Sequence, residues 1–161
     1  MKHYILAFTL LIISLVPLPC SAQLFGRAQQ AASWSAKAEM TSKTSGIITI
    51  TAEVSPRWHI YGLTVPKEAP VATEISFALS GLRLDGKITV SPAPKVKHDE
   101  VFGVDVPYWD AGTVTFSQPF KVTDAKNARC NIDITYIGCT GLNCAPPQTV
   151  SLPVTIPSSH K

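Results

Sequence analysis

From Trp34 to Ile156 the apolar residues recur at every second position, and no stretch of helical length holds them at every third or fourth. A period of two places successive side chains on opposite faces of a strand; a helix requires a period near 3.6. The clearest runs are Ile48, Ile50, Ala52 and Val54 opposite Thr49, Thr51 and Glu53, and Cys130, Ile132, Ile134 and Tyr136 opposite Asn131, Asp133 and Thr135. Ile75, Phe77 and Leu79 repeat the pattern within 71–79, Val114 and Phe116 within 112–122, and Val150, Leu152, Val154 and Ile156 at the end. Thirteen prolines each fix φ and remove a backbone donor, which works against any long helix.

Turn signals divide these runs. Ser55-Pro56-Arg57 reads as a turn, followed by a short aromatic strand, Trp58-His59-Ile60-Tyr61, that stops at Gly62. Asp85-Gly86 centres a predicted hairpin over 82–90. Residues 91–97, broken by prolines, are expected along an edge, and His98–Gly103 reads as a loop. Residues 104–109 and 112–122 read as two strands joined at Asp110-Ala111-Gly112. Eight or nine short strands of this kind, with no internal repeat, predict one all-β domain, an immunoglobulin-like antiparallel β-sandwich.

The ends bear on destination. Lys2, the apolar run from Ile5 to Leu18 and the small residues Cys20-Ser21-Ala22 make 1–22 a secretory signal peptide. The run is short for a membrane span and interrupted by Pro17 and Pro19. An uncleaved membrane anchor and a lipid anchor on Cys20 are the competing readings, and Pro19 disfavours the second. Residues 23–33 then form a flexible lead-in, 34–157 the domain and 158–161 a polar tail. Export through a cleaved signal places the protein in a compartment where disulfides can form and persist. The formal charge of +3, lower by one without Lys2, is too mild to suggest nucleic acid or a membrane surface. No Ser-His-Asp array, carboxylate pair or phosphate loop stands out, no cofactor is expected, and the chain is expected to act as a monomer.

Once Cys20 leaves with the signal, Cys130, Cys139 and Cys144 remain, so at most one internal pair can form. Cys139 and Cys144 lie in Tyr136-Ile-Gly-Cys-Thr-Gly-Leu-Asn-Cys-Ala-Pro-Pro-Gln148, with Gly138 and Gly141 inside the loop and Pro146-Pro147 closing it. Three chemistries fit. A structural bridge over so short a loop would stabilise by roughly 2 kcal/mol, against about 4–5 for one spanning a hundred residues. A zinc site would need ligands beyond two thiolates; His59 and His98 could supply them, but no Cys-x-x-Cys spacing supports it. A redox pair needs an accessible sulfur for a thiolate to attack. The loop carries no Lys or Arg to lower a thiol pKa, so such a pair would depend on its partner. Cys130 shares a face with Ile132 and reads as a small buried hydrophobe. Tyr136 shares it too and reads as packing.

The cysteine segment resembles the active-site hairpin of the N-terminal periplasmic domain of DsbD, the thiol:disulfide interchange protein. Trp58-His-Ile-Tyr61 resembles that family's aromatic strand and His98-Asp-Glu-Val-Phe-Gly103 its cap loop, in the same order and at similar spacing. The resemblance spans about residues 34–156 and implies an immunoglobulin-like sandwich that acts with partners as a thiol:disulfide oxidoreductase, and it makes the compartment of export the periplasm. It implies that Cys144 exchanges with partners and Cys139 resolves, with a thioredoxin-like donor fed across the membrane. The implied acceptors are periplasmic disulfide isomerases or cytochrome c maturation thioredoxins. A cap aromatic is implied over the disulfide, with Asp99 and Glu100 beside it and His59 and Tyr61 flanking. As plain strand residues, Tyr61 reads equally as core and His59 as solvent-facing. Two departures stand out: the matching cap position is Val101, with Phe102 one residue later, and His59 stands where the family favours tyrosine. The chain also lacks the family's eight-helix membrane domain and thioredoxin domain, so the implied electron source is another protein. The competing function is a non-catalytic exported interaction domain whose disulfide is structural.

Overall fold

The computed structural model describes residues 30–157 except 70, 101 and 142; the signal peptide, most of the lead-in and the polar tail lie outside the described residues. Eleven strands follow in chain order: β1 (Ala32–Met40), β2 (Ser45–Tyr61), β3 (Glu74–Ser80), β4 (Leu82–Leu84), β5 (Thr89–Ser91), β6 (Lys95–Asp99), β7 (Val104–Val122), β8 (Arg129–Tyr136), β9 (Gly138–Thr140), β10 (Asn143–Cys144) and β11 (Gln148–Val154). Every pairing is antiparallel. β11, β8 and β3 form a three-stranded sheet, and the other eight strands form the larger one. The protein is thus an all-β, immunoglobulin-like antiparallel sandwich, and its inward faces are the period-two runs of the sequence.

Two long strands organise the large sheet. β2 and β7 pair along most of their lengths, from Ser45↔Lys121 to Tyr61↔Tyr108. Midway, the four residues 55–58 of β2 stand against Ala111 alone. This is a bulge, and Arg57 there adopts φ 71°, a left-handed conformation that costs a non-glycine residue about 1 kcal/mol or more. The bulge divides both strands. Beyond one side of it β2 pairs with β1; beyond the other it pairs with β9, His59↔Cys139 and Ile60↔Gly138. The outer edge of β7 carries β4, β5 and β6 in turn.

Several sequence expectations are corrected by this arrangement. Ser55-Pro56-Arg57 is a bulge inside one strand, because both flanks stay paired to β7. Asp110-Ala111-Gly112 likewise lies within β7, with Gly112 at φ 132°. Asp85-Gly86 is a bend and not a hairpin turn: β4 and β5 run in the same direction along the edge of β7, each antiparallel to it, and do not pair with each other. His98 and Asp99 belong to β6, not to a loop, and the chain turns only beyond Asp99 into β7, where the Gly103 amide donates to the Asp99 carbonyl at 2.7 Å. The lead-in ends early: β1 starts at Ala32, and Ala31 and Ala32 are fully buried.

Between the sheets lies the main core. Ile48, Ile50, Val114 and Phe116 of the large sheet meet Ile132, Ile134 and Tyr136 of the small one. Trp34 packs on Phe116 and Tyr136, with ring centroids 5.9 and 5.3 Å away. Ile60 and Trp109 carry this core past the bulge. Strand alternation sends their neighbours Tyr61 and Tyr108 to the other face, where Tyr61, Val106, Ile137 and Cys139 form a second, smaller cluster. The segment 62–73 folds over it: Val65 and Ala69 pack on the cluster, and the Thr73 hydroxyl donates to the Tyr61 carbonyl at 2.6 Å.

Candidate functional site

The cysteines sit at one edge of the large sheet, on this outer face. β9 and β10 make a minimal hairpin turned at Gly141, φ 54°. Cys139 and Cys144 are direct cross-strand partners, joined by a disulfide with Cα atoms 4.0 Å apart. The Ala145 amide closes the loop by donating to the Gly138 carbonyl at 2.9 Å. Gly138 is glycine for a steric reason: a Cβ there would strike Ala31 and crowd the Trp58 ring. The two sulfur-bearing residues differ sharply. Cys139 has no exposed surface and belongs to the small cluster, whereas Cys144 is exposed.

An open cleft of about 360 Å³ lies over Cys144, lined by Tyr61, Lys97, His98, Asp99, Glu100, Phe102, Gly141 and Cys144. The tip of the β6–β7 hairpin therefore faces the cysteine hairpin, and three of the expected cap residues, Asp99, Glu100 and Phe102, share its cleft. Phe102 is 36% exposed, so its ring is not sealed into the fold. Val101 lies outside the described residues. Glu100 is exposed on the rim.

Beneath the cleft, side chains of β6 reach across β7 to β2. Asp99 is buried; it accepts from the Tyr61 hydroxyl at 3.2 Å and from the Phe102 amide at 3.3 Å. Burial first, then the Asp99 charge and hydrogen bond, push the Tyr61 hydroxyl up to about 12. Two residues earlier, Lys97 Nζ lies 3.1 Å from His59 Nε2 and 5.0 Å over the Tyr108 ring. His59 is buried, not solvent-facing, and stands edge-on to Tyr61 and Tyr108 at 5.5 and 5.7 Å. Burial, then the Lys97 charge, hold its pKa below the ordinary value of 6.5, against the opposing pull of Asp110 and Asp99.

The structure thus gathers Cys139, Cys144, Tyr61, His59, Asp99, Glu100 and Phe102 around one place. It adds Lys97 and Tyr108, which the sequence reading passed over. A single strand over 95–99 puts Lys97 on the same face as Asp99; reading 91–97 as an edge segment and 98–103 as a loop separates the two. His98 lines the cleft but pairs with Asp105 at 2.9 Å. Among the described residues no group of three or more His, Cys, Asp or Glu is arranged to hold a metal ion. Cys130 is buried in the main core, where burial pushes its thiol up to about 11, and the Tyr136 hydroxyl lies 3.0 Å from the Ala32 carbonyl, away from the cleft.

Fold and site together define an immunoglobulin-like sandwich with one half-exposed, cross-strand disulfide at the rim of its larger sheet. The chain belongs to the family of N-terminal domains of the thiol:disulfide interchange protein DsbD, whose family model matches residues 27–156. Among solved structures it is similar to the reduced DsbD N-terminal domain of Neisseria meningitidis, with 15% identity over 84% of this chain and 94% of that one and a TM-score of 0.54. It is similar too to the N-terminal periplasmic domain of ScsB from Proteus mirabilis, with 21% identity over 74% of this chain and a TM-score of 0.52. It spans only 43% of that ScsB chain. No curated protein sequence matches it.

Proposed function

We propose that the protein is a periplasmic thiol–disulfide exchange module that passes reducing equivalents through Cys139 and Cys144. The observation that carries this reading is the asymmetry of the pair: Cys144 is exposed at the cleft while Cys139 is wholly buried behind it. An incoming sulfur can reach only Cys144, so Cys144 forms the mixed disulfide and Cys139 resolves it. When reduced, the Cys144 thiolate attacks an acceptor disulfide; the Cys139 thiolate then attacks Cys144 Sγ and releases the acceptor as a dithiol. Two electrons and two protons leave, and the Cys139–Cys144 bond re-forms. A thioredoxin-like donor restores the dithiol by the reverse path. Disulfide isomerases or cytochrome c maturation thioredoxins are the acceptors this reading supplies, and the module works as a monomer without a cofactor.

The test is a trap. Cys139→Ala leaves Cys144 able to attack but unable to be released, so mixed disulfides with periplasmic partners accumulate and are recovered by pull-down. Accumulation only with Cys144→Ala would reverse the roles. The reduction potential separates exchange from a staple: a pair that resists reduction below about −300 mV behaves as a structural disulfide. In the same reading Phe102 screens Cys144, so Phe102→Ala speeds alkylation of the reduced protein; an unchanged rate removes Phe102 from the mechanism.

A further inference from the structure

Opening a disulfide expels one sulfur as a thiolate, and a sulfur that holds charge poorly leaves slowly. On the exchange reading above, that sulfur is Cys139. It has no exposed surface and packs with Tyr61, Val106 and Ile137. The molecule contains a gauge of what such burial does: Cys130, buried in the main core, has its thiol pushed up to about 11 by burial alone. A leaving thiolate in a site of this kind needs a proton or a cation beside it. The cysteine hairpin, 136–148, contains neither Lys nor Arg.

The fold delivers one from another strand. His59 is the direct partner of Cys139 across β2 and β9, and directly opposed side chains share a face with Cβ atoms about 5 Å apart. Behind His59 stands the Lys97 ammonium, 3.1 Å from Nε2. An ammonium only donates, so Nε2 accepts and the ring's own proton sits on Nδ1. Tyr61 and Tyr108, edge-on to the ring, hold its plane.

We infer that Lys97 and His59 form a proton relay to the Cys139 sulfur. A partner thiolate attacks Cys144 Sγ and a new S–S bond forms. The Cys139–Cys144 bond breaks, and its electron pair goes to Cys139 Sγ. His59 gives that sulfur the Nδ1 proton while Nε2 takes one from Lys97, and the Lys97 amine regains its proton from solvent. In reoxidation the proton returns by the same route. The charged and titratable groups around His59 are Lys97 and Asp99 from β6, Tyr108 and Asp110 from β7, Tyr61 on its own strand, and the cysteine pair from β9 and β10. Asp110 is bonded to Lys95 at 2.9 Å and Asp99 accepts from Tyr61, which leaves Lys97 as the proton source directed at the ring. The relay rests on the exchange reading, and its test separates the two.

The experiment reduces the oxidised protein with dithiothreitol between roughly pH 6 and 9 and divides each rate by the reagent's thiolate fraction. Lys97→Met and His59→Phe are each expected to slow this corrected rate about tenfold near neutral pH and to flatten its pH dependence. The double variant is expected to be no slower than His59→Phe, since both residues serve one path. Lys97→Arg keeps the charge but releases no proton, so it stays slow; a wild-type rate for Lys97→Arg would reduce the residue to a fixed charge and overturn the relay. Lys97 is only half-buried, so its variants keep the test alive should His59→Phe fail to fold. If the wild type opens and traps partners while all variants match its rate, the relay alone fails. A wild-type disulfide that dithiothreitol leaves closed would overturn the relay and the exchange reading together.

Discussion

The two apolar clusters lie on opposite faces of the same pair of strands and are built to different ends. The inter-sheet core joins strands from both sheets, and Ile48, Ile50, Phe116, Ile132, Ile134 and Tyr136 show no exposed surface. The outer cluster has four buried members, takes nothing from the strands of the small sheet, and borders the buried polar groups His59 and Asp99. Each polar group there is held by a partner reaching over β7. A cluster so small stabilises little by burial, and its polar groups need those partners to avoid a desolvation cost. The lesson is a division of labour. The large core holds the frame rigid, while the small one keeps a disulfide and titratable groups where local opening is cheap.

That division is most directly broken by paired truncations. Ile132→Ala, in the middle of the central strand of the small sheet, should cost about 3–4 kcal/mol, read as a lower midpoint in urea unfolding. Val106→Ala, in the outer cluster, should cost about 2 kcal/mol or less. It should also change the reaction rate of the disulfide with a small thiol, which Ile132→Ala should leave alone at temperatures where both are folded. Equal stability losses, or a rate change in both, would show that the clusters behave as one.

The main core was legible in the sequence because two inward faces with period two need only alternation to be seen. Ile48 to Val54 and Cys130 to Tyr136 read correctly on residue type alone. What alternation cannot show is pairing. Pro56 and Arg57 read as a turn because the residues that keep β2 in the sheet, Thr113 and Asp110 on β7, lie more than fifty residues away. Asp85-Gly86 suggested a hairpin for the same reason: a local turn signal does not reveal that both short strands are claimed by β7. The cysteine pair stands out in the residues themselves; Tyr61, Asp99 and Phe102 come from the resemblance, and with Cys144 they line one cleft. Lys97 and Tyr108 were not named, because their part is a contact reaching from β6 across β7 to β2, and no spacing in the chain encodes such a contact.

The seam between the clusters is Gly138. Its missing side chain lets the Ala31 methyl and the Trp58 ring close against the base of the cysteine hairpin. Gly138→Ala should destabilise by about 1–3 kcal/mol, the range for overpacking a filled site. Because the clash is with Ala31, the extra loss should appear as earlier hydrogen exchange at β1 and β9 and leave β8 protected. Uniform loss of protection would mean that the N-terminal strand and the hairpin are not a separable edge.

The smallest expected effect is the most specific to the outer cluster. His59 has a folded pKa below its ordinary value because burial and then Lys97 oppose its protonation. A depressed pKa means that the unfolded chain binds the proton more readily. The stabilising contribution is therefore fully present above about pH 6.5 and is lost as pH falls through the folded pKa. The wild type should lose stability between roughly pH 7 and 5 with a component that His59→Phe removes, measured as the difference between their urea midpoints at each pH. Lys97→Met should shrink that component without abolishing it, since burial remains the larger cause. The inter-sheet core contains no histidine, so its truncation Ile132→Ala should shift the whole pH curve downward and leave the His59-dependent slope in place.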